Sequence, residues 1–233
     1  MARKNIILKD VIDYLADIST ILPPEEKELL EKHATVHVYK KNAFIYREGD
    51  VPTYLHCLVV GKVKITKEGV GGRTQIVRVI SPVDYFGYRP AFAGERYATS
   101  AIAFEPTTIV KIPIGTIMRL LMENARLGLF FIERLAADLG KADSRTVNLT
   151  QKHIRGRLAE SLLFLRDSYG LEEDGSTLSI YLSREDLANL SNMTTANAIR
   201  TLSAFAQEKL LAVDGRKIKL MDIEKLEKVS RLG

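Results

Sequence analysis

A short polar face between Thr194 and Thr201 carries the groups in this chain that are best suited to recognising another molecule. Arg200 could donate two hydrogen bonds to guanine, Asn197 could pair with adenine or hold a phosphate, and Thr195 could offer a hydroxyl or a methyl group. Thr194 is a suitable N-cap, and apolar residues follow it at helical spacing. The segment therefore predicts a helix that reads base edges through Thr195, Ala196, Asn197 and Arg200.

The same helix needs an apolar face to hold it in place. The spacing predicts that this face consists of Ala198, Ile199, Leu202, Phe205 and Ala206, with Thr201 on the polar side. A second short helix comes before it, because Ser183 and Asp186 form a capping-box-like pair. Ser191-Asn192-Met193 then makes a tight turn between the two helices.

A β-hairpin is predicted directly after these two helices. Asp214-Gly215 lies between the runs Leu210–Val213 and Arg216–Leu220, and Asp-Gly between alternating runs is a strong hairpin signal. This order indicates a winged helix-turn-helix, with two packed helices and a solvated polar face as the alternative. Phosphate contacts are expected from Ser183, Arg184, Thr194, Arg216, Lys217 and Lys219.

Charge alone gives weak support to nucleic-acid binding. The 233 residues carry a net charge of +5, but from Leu149 to the C-terminus 13 basic and 12 acidic residues leave a net of only +1. A basic balance favours a nucleic-acid partner only when it lies where the nucleic acid would bind. The prediction of double-stranded DNA as partner therefore depends on the local pattern of residues.

The composition is that of a soluble globular protein in a reducing compartment. Hydrophobic residues make up 46% and charged residues 27%. The only cysteine, Cys57, excludes an intramolecular disulfide and a cluster held by several thiolates. No apolar run approaches the roughly 20 residues of a membrane span, and Met1–Asp10 does not resemble a signal peptide. We therefore expect a cytoplasmic protein without a membrane partner.

The N-terminal half of the chain has a different period. Helical spacing between Asp10 and Leu30 includes Val11 and Tyr14, and Pro24 with Glu25 and Glu26 indicates a helix start. Short β-rich runs separated by turn signals then recur from Thr35 to Pro113, which is typical of a sandwich, barrel or jelly roll. The runs are Val36–Tyr39, Tyr54–Val60, Val63–Ile65, Gln75–Ile80 and Thr107–Ile112, with turns that include Gly69–Gly72 and Ser81-Pro82. A further short strand is predicted at Leu178–Leu182.

A long helix is predicted between the two halves, from about Asn124 to Leu149. Its length suggests packing against the same helix of a second copy, and an ordinary helix on its own domain is the alternative. The expected interface residues are Ile132, Leu135, Leu139, Ala142 and Thr146. The fold class is thus α+β, with a sensor domain at 1–113, a dimerisation helix region at 114–149 and a winged helix-turn-helix domain at 150–233.

In this order of elements the chain resembles the family of the cyclic-AMP receptor protein and the fumarate-nitrate reductase regulator (CRP/FNR). Tyr46–Asp50 and Val60–Val63 look like the paired glycine turns of the family. The segments Ser81–Gly87 with Phe92, and Arg96–Ala103 with Glu105–Thr108, look like the two ends of its phosphate-binding cassette. The resemblance implies a double-stranded β-helix (jelly-roll) sensor, a homodimer, a two-fold symmetric DNA site and RNA polymerase as a further partner. Arg200 matches the base-reading arginine of the family, whereas the usual glutamate is absent at Thr195-Ala196.

The sensor departs from the cyclic-AMP-binding members of the family. Their Gly-Glu-Leu step reads Gly87-Tyr88-Arg89 here, their arginine-serine pair has altered spacing, and no threonine-serine pair lies between Phe130 and Thr146. These differences disfavour cyclic AMP and leave open another small anionic effector, or none. The residues that would line an effector pocket are Gly87, Tyr88, Arg89, Arg96, Thr99 and Ser100.

Other sensing chemistry and catalysis find little support in the sequence. Iron-sulfur members need several N-terminal cysteines, and none precedes Cys57. Haem would need a ligand from His33, His37, His56 or Cys57, and a core position is favoured for the last two. No metal-ligand spacing, phosphate loop or nucleophile motif is present, so we expect no catalytic residues and no metal site. A ligand-binding subunit that acts on a protein partner remains as the alternative function.

Overall fold

The computed structural model describes residues 15–69 and 72–232. The features expected at Met1–Asp10, Val11 and Tyr14, and the middle of the Gly69–Gly72 turn, lie outside the described residues. Within the described residues, the first helices are α1 (Ala16–Ile21) and α2 (Pro24–His33). As the sequence predicts, α2 begins with a proline followed by Glu25 and Glu26, which suit the positive end of the helix dipole.

In the part of the chain that the structure describes, eight strands follow and form two four-stranded sheets. One sheet has the order β1-β8-β3-β6 and the other the order β2-β7-β4-β5, with antiparallel pairing between the strands whose registers are defined. This is the predicted jelly-roll arrangement, as two facing sheets rather than a closed barrel. The strands are β1 Thr35–Tyr39, β2 Phe44–Tyr46, β3 Tyr54–Val60, β4 Val63–Glu68, β5 Thr74–Ile80, β6 Tyr85–Phe86, β7 Ser100–Ala103 and β8 Thr107–Pro113.

Strand β3 is buried on both faces because it contributes to two apolar clusters. Successive side chains of a strand point to opposite faces. Leu55 and Cys57 therefore join a cluster between the first sheet and the helices, while Leu58 joins the cluster between the two sheets. This double burial explains why β3 reads as a continuous apolar run in the sequence.

The long helix begins after Asn124, close to the predicted position. Helix α3 (Arg89–Phe92) is a single turn, and α4 (Ile114–Glu123) leads into α5 (Ala125–Gln151). The Asn124 Oδ1 accepts hydrogen bonds from the N–H groups of Arg126 and Leu127 at 3.0 and 3.1 Å, which satisfies two donors at the start of α5.

One side of α5 is fixed to the sensor by packing and by ion pairs. Leu127 and Phe131 are buried in the cluster between the helices and the first sheet. The Arg134 guanidinium lies 2.9 Å from the Asp17 carboxylate and 3.4 Å from that of Asp84. Asp138 pairs with Arg78 of β5 at 2.7 Å. The first half of α5 is therefore a structural part of the sensor.

The C-terminal part contains four helices and one hairpin among the described residues. These are α6 (Ile154–Tyr169), α7 (Arg184–Leu190), α8 (Thr195–Gln207), β9 (Leu211–Asp214), β10 (Lys217–Leu220) and α9 (Ile223–Leu232). The carboxylate of Glu160 in α6 accepts hydrogen bonds from Asn148, Lys152 and Ser230 at 3.0, 2.6 and 2.5 Å. These bonds join the end of α5 and the C-terminal helix to α6.

The prediction of a strand at Leu178–Leu182 is wrong. Leu178, Ile180 and Leu182 are buried and Tyr181 is exposed, so the alternation in the sequence reflects burial. However, the Leu178 N–H donates to Ile218 O and the Ser179 N–H to Gly170 O, so consecutive residues pair with different elements. Only isolated bridges form, between Leu171 and Leu178 and between Thr177 and Lys219.

Two compact units divide the chain within α5, between Leu139 and Gly140. The second unit also includes the segment at 69 and 72–76. The sequence instead places the boundary near Asn148–Lys152. A continuous helix gives no local signal at Leu139, so the sequence could not indicate a division there. The three-part assignment of 1–113, 114–149 and 150–233 stays a prediction.

One turn of the sensor holds a β-branched residue in a left-handed conformation. Val83 has φ +72°, and the Asp84 N–H donates to Ser81 O at 3.1 Å. With Pro82 before it, Val83 is at the third position of a type II turn, where glycine is preferred. A side chain at positive φ costs about 1–2 kcal/mol. The turn is therefore strained.

Replacing Val83 by glycine should stabilise the protein. We expect Val83→Gly to add on the order of 0.5–1 kcal/mol to the free energy of unfolding, because relief of strain exceeds the entropy that glycine loses on folding. Scanning calorimetry would show this as a higher Tm. The matched control is Val51→Gly, at an exposed valine whose φ is not positive. This substitution should lower Tm slightly. A lower Tm for Val83→Gly would contradict the assignment of strain.

Candidate nucleic-acid interface and sensor interior

Side-chain caps define the start of the two helices around the turn. The Ser183 Oγ accepts from the Asp186 N–H at 3.0 Å and donates to the Asp186 carboxylate at 2.8 Å, which confirms the predicted capping pair at α7. The Thr194 Oγ1 accepts from the Asn197 N–H at 3.2 Å at the start of α8. Asn192, in the turn between the helices, has φ +50°. Ser183 and Thr194 thus serve primarily as caps.

Helix α8 presents a face that differs in two residues from the predicted one. Thr201 is buried, whereas Ile199 is 47% exposed. Helical residues advance by about 100°, so Thr201 lies within the arc that Ala198, Leu202 and Phe205 bury, and Ile199 lies at its edge. The exposed residues of α8 next to the turn are Thr195, Ala196, Ile199, Arg200 and Ser203.

Asn197 holds Arg200 rather than standing free. The Arg200 Nη2 donates to the Asn197 Oδ1 at 2.5 Å. The single side-chain oxygen of Asn197 is therefore already engaged. Adenine recognition would need both this oxygen and the NH₂ group. Arg200 keeps further N–H donors, since guanidinium has five. Asn197 therefore supports the position of the Arg200 guanidinium.

The wing turn lies one residue later than the sequence predicts. Asp214 pairs with Lys217 in the β9-β10 register, so the two central residues of the turn are Gly215 and Arg216. Gly215 has φ +54°, as a two-residue hairpin turn with glycine at its first central position requires. Asp214 is therefore the last strand residue, and Arg216 is at the tip of the wing.

The other predicted phosphate ligands have partners within the protein. Arg184 Nη2 donates to Gly215 O at 2.7 Å and so ties the start of α7 to the wing. Lys219 Nζ lies 3.5 Å from the Asp174 carboxylate, and Lys217 Nζ lies 5.5 Å from the ring centre of Tyr181. Both lysine side chains reach solvent, which weakens such interactions.

Aromatic rings fill the space between the two sheets of the sensor. Tyr46 and Tyr97 stack with ring centres 3.7 Å apart, and His56 stacks on Phe86 at 5.0 Å. All four residues are buried. Burial raises the pKa of Tyr46 to about 12 and, with a smaller effect of Lys111, lowers the pKa of His56 to about 3, so both are neutral near pH 7.

Gly87 lies against these rings at a position that only glycine fits. Its φ is +81°, and a Cβ placed on it would lie 2.6 Å from the His56 Nδ1. The Tyr97 hydroxyl donates to Gly87 O at 3.1 Å. The glycine of the predicted effector pocket therefore contacts the protein's own rings.

The remaining residues predicted for the effector pocket each contact a protein group. Tyr88 is buried in the cluster below the helices, with ring centres 5.4 Å from Phe92 and 5.1 Å from Phe131. The other polar groups contact a variety of partners. Arg89 pairs with Glu95 at 3.2 Å, Arg96 donates to Gly49 O at 2.9 Å, Ser100 Oγ accepts from the Glu48 N–H at 3.0 Å, and Thr99 hydrogen-bonds Tyr46.

These residues do not fit a cyclic nucleotide well. A ribose hydroxyl would need an acceptor, but the Tyr88 side chain is turned into an apolar core. A cyclic phosphate would need a cation inside the sensor, but Tyr97 occupies the interior with an uncharged ring. The described sensor interior is therefore arranged for packing rather than for a bound nucleotide.

The candidate haem ligands are not arranged as an open site. His56 and Cys57 are buried in β3, and burial, with a smaller effect of Asp84, raises the pKa of the Cys57 thiol to about 12. His33 Nδ1 and His37 Nε2 hydrogen-bond Leu29 O and Thr35 Oγ1. Within residues 15–69 and 72–232, no three His, Cys, Asp or Glu side chains are grouped so that they could hold a metal ion. None of the described helices is long and apolar enough to span a bilayer.

The outer side of α5 carries exposed apolar residues. Leu129, Ile132 and Leu139 are 55%, 63% and 64% exposed, and Ala136 lies between them at the spacing of a helix seam. Ala142 and Thr146 are also exposed. Leu135 differs from the other predicted interface residues because it is partly buried against the sensor's own core.

Comparison with known proteins identifies both parts of the chain. A family model described as "Cyclic nucleotide-binding domain" matches residues 36–124, and one described as "Crp-like helix-turn-helix domain" matches residues 156–229. The "Anaerobic regulatory protein" of Bacillus subtilis is 26% identical over 198 residues, covering 84% of this chain and 83% of that protein. The "CRP-like cAMP-activated global transcriptional regulator" of Mycobacterium tuberculosis is 23% identical over 188 residues, covering 80% of this chain and 84% of that protein.

The fold is shared with a solved structure as well. FixK2 from Bradyrhizobium japonicum matches with a TM-score of 0.77 and 23% identity, over 84% of this chain and 96% of that chain. A jelly-roll sensor, a long helix and a helix-turn-helix followed by a wing define a DNA-binding transcription regulator. The chain belongs to the CRP/FNR family of such regulators.

Cyclic AMP should bind weakly or not at all. We expect no saturable heat in a calorimetric titration at concentrations on the order of 1 mM, because uncharged rings fill the sensor interior and no carboxylate is available at Tyr88. Cyclic GMP, titrated in parallel, controls for general nucleotide affinity. A dissociation constant in the low micromolar range would show that the interior rearranges to admit the nucleotide.

Proposed function

We propose that this regulator binds a two-fold symmetric DNA site as a homodimer and that α8 reads the bases of each half-site. The observation that carries the proposal is the exposed face of α8, next to a capped helix-turn-helix and a wing with Arg216 at its tip. A recognition helix enters the major groove with its N-terminal residues foremost. Thr195, Ala196 and Arg200 are at that end.

The base and phosphate contacts follow from this docking. Arg200, supported by Asn197, would donate to the O6 and N7 atoms of guanine. Arg216, Lys217 and Lys219 on the wing would contact the phosphate backbone, and Arg184 would act by holding the wing turn. The backbone N–H groups that remain at the N-termini of α7 and α8, beside Ser183 and Thr194, would bind phosphates.

The homodimer is supported by the outer side of α5. Extended apolar patches on protein surfaces often mark interaction sites, and the spacing of Leu129, Ile132, Ala136 and Leu139 matches that of a helix-helix seam. We propose that this seam, extended by Ala142 and Thr146, pairs with the same seam of a second copy. Leu135 would contribute mainly to the sensor core.

The signal that controls activity is proposed to be something other than cyclic AMP. The rings of Tyr46, His56, Phe86 and Tyr97 favour a sensor that responds to a different small effector or to none. RNA polymerase is proposed as the partner through which DNA binding affects transcription, and the cytoplasm as the place of action. No observation favours the alternative of a subunit that acts on another protein instead of DNA.

Mutating Arg200 and Arg216 should separate base reading from phosphate binding. Arg200→Ala should weaken binding to the selected duplex by about 1–3 kcal/mol per half-site and leave binding to a scrambled duplex nearly unchanged. Arg216→Ala should weaken both duplexes similarly and lower the salt slope by about 0.9 per lost contact. Salt titrations of both variants on both duplexes provide the measurement. Equal losses on the two duplexes for Arg200→Ala would make it a phosphate ligand.

Charges introduced on the outer side of α5 should give monomers. Leu139→Glu combined with Ile132→Glu would bury unpaired carboxylates in the proposed interface. Sedimentation should then show monomers where the wild type is a dimer. The control is Ala137→Glu, which adds one carboxylate, half the charge of the double variant, on another side of α5. A wild-type monomer at micromolar concentration would refute the proposed interface.

A further inference from the structure

Ile199 is an apolar side chain on the otherwise mostly polar outer face of α8. It is 47% exposed, while Ala198, Leu202 and Phe205 on the inner side are buried. Single exposed apolar residues are common on protein surfaces, so exposure alone indicates little. The position of Ile199 is the informative feature, because it lies within the first two turns and directly precedes Arg200.

The helix places Ile199 and Arg200 on opposite flanks of Ala196. Helical residues advance by about 100°, so Ala196 is near the centre of the outward side and the other two residues lie on either side of it, one turn later. The Arg200 guanidinium is held by Asn197, on the flank away from Ile199. Ala196 has only a methyl group. Ile199 therefore remains 47% exposed beside this small side chain.

An apolar group at this position has one natural counterpart in the major groove. The C5-methyl group of thymine is the apolar feature that base edges present there. Isoleucine has one strongly preferred χ1 rotamer in a helix, so it loses little conformational freedom when it makes such a contact. It also has no hydrogen-bonding group that a wrong base could satisfy.

We propose that Ile199 is a specificity-determining residue that packs against a thymine methyl group, close to the base that Arg200 reads. The inference rests on the proposed function of α8 in base reading. It adds a thymine requirement that the polar residues of this face do not impose. Loss of one such methyl contact corresponds to about a three- to fourfold loss of affinity per half-site, and to about tenfold for both half-sites.

Uracil substitution tests the contact directly, since it removes the methyl group and leaves base pairing unchanged. A duplex is first selected from a random pool with the wild-type protein, and each symmetric thymine pair is then replaced by uracil in turn. We expect one pair at which uracil weakens wild-type binding by about tenfold. Ile199→Ala should bind the thymine duplex about tenfold more weakly and lose nothing further on that uracil duplex.

Two further variants control for folding and for general apolar effects. Ile199→Thr keeps the β-branch and one methyl group, and it should show an intermediate loss and an intermediate response to uracil. Met221→Ala removes another exposed apolar side chain, between β10 and α9, and should keep the wild-type response to uracil. Thermal melting of all variants should be nearly unchanged, because Ile199 lies outside the buried side of α8.

The outcomes separate this inference from the proposed function. If the wild type selects a duplex but uracil has no effect at any position, or if Ile199→Ala responds to uracil as the wild type does, Ile199 is not a thymine-reading residue. If the wild type selects no duplex, the proposed function itself is wrong.

Discussion

Helix α5 carries apolar side chains on two sides, and a single chain buries only one of them. Leu127 and Phe131 pack into the sensor core, whereas Ile132 and Leu139 face outward. This burial fixes the orientation of the helix, and the ion pairs of Arg134 and Asp138 with Asp17, Asp84 and Arg78 add to it. The outer side is therefore fixed in direction by the inner one. Rigid presentation of an apolar seam lowers the entropy lost on association, which favours a partner of defined geometry.

The same packing includes Tyr88, where the sequence differs from the Gly-Glu-Leu step expected of cyclic-AMP-binding members of the family. Phe131 of α5 needs apolar neighbours, and Tyr88 and Phe92 provide them. A carboxylate at position 88 would be desolvated in this cluster without a partner. Tyr88 thus suits the packed core beside the helix, and a polar pocket at this position would not.

The sequence predicted the features that depend on local chemistry and missed those that depend on neighbours far along the chain. The caps at Ser183 and Thr194, the start of α2 at Pro24 and the limits of β3 follow from residue type and period. The exposure of Ile199 depends on which side of α8 its neighbours cover, and the strand predicted at Leu178 fails because its partners change from residue to residue.

The candidate site shows the same division. Arg200 could be chosen from the sequence because its reading chemistry is intrinsic to guanidinium. The supporting role of Asn197 could have been suspected from its position three residues before Arg200, since such pairs meet on a helix surface. The aromatic filling of the sensor had no comparable signal, because Tyr46, His56, Phe86 and Tyr97 come together only when the two sheets face each other.

The turn at Val83 has a consequence for how the gene can change. Valine codons become glycine codons through a single base substitution at the second position, so the unstrained turn is one mutation away. Asp84, the next residue, pairs with Arg134 of α5, and the strain is therefore stored beside a contact that fixes the helix. Laboratory evolution of this gene under selection for heat resistance should find that codon change early and repeatedly. Under selection for regulation, the same change would instead be kept or lost according to how tightly the sensor holds α5.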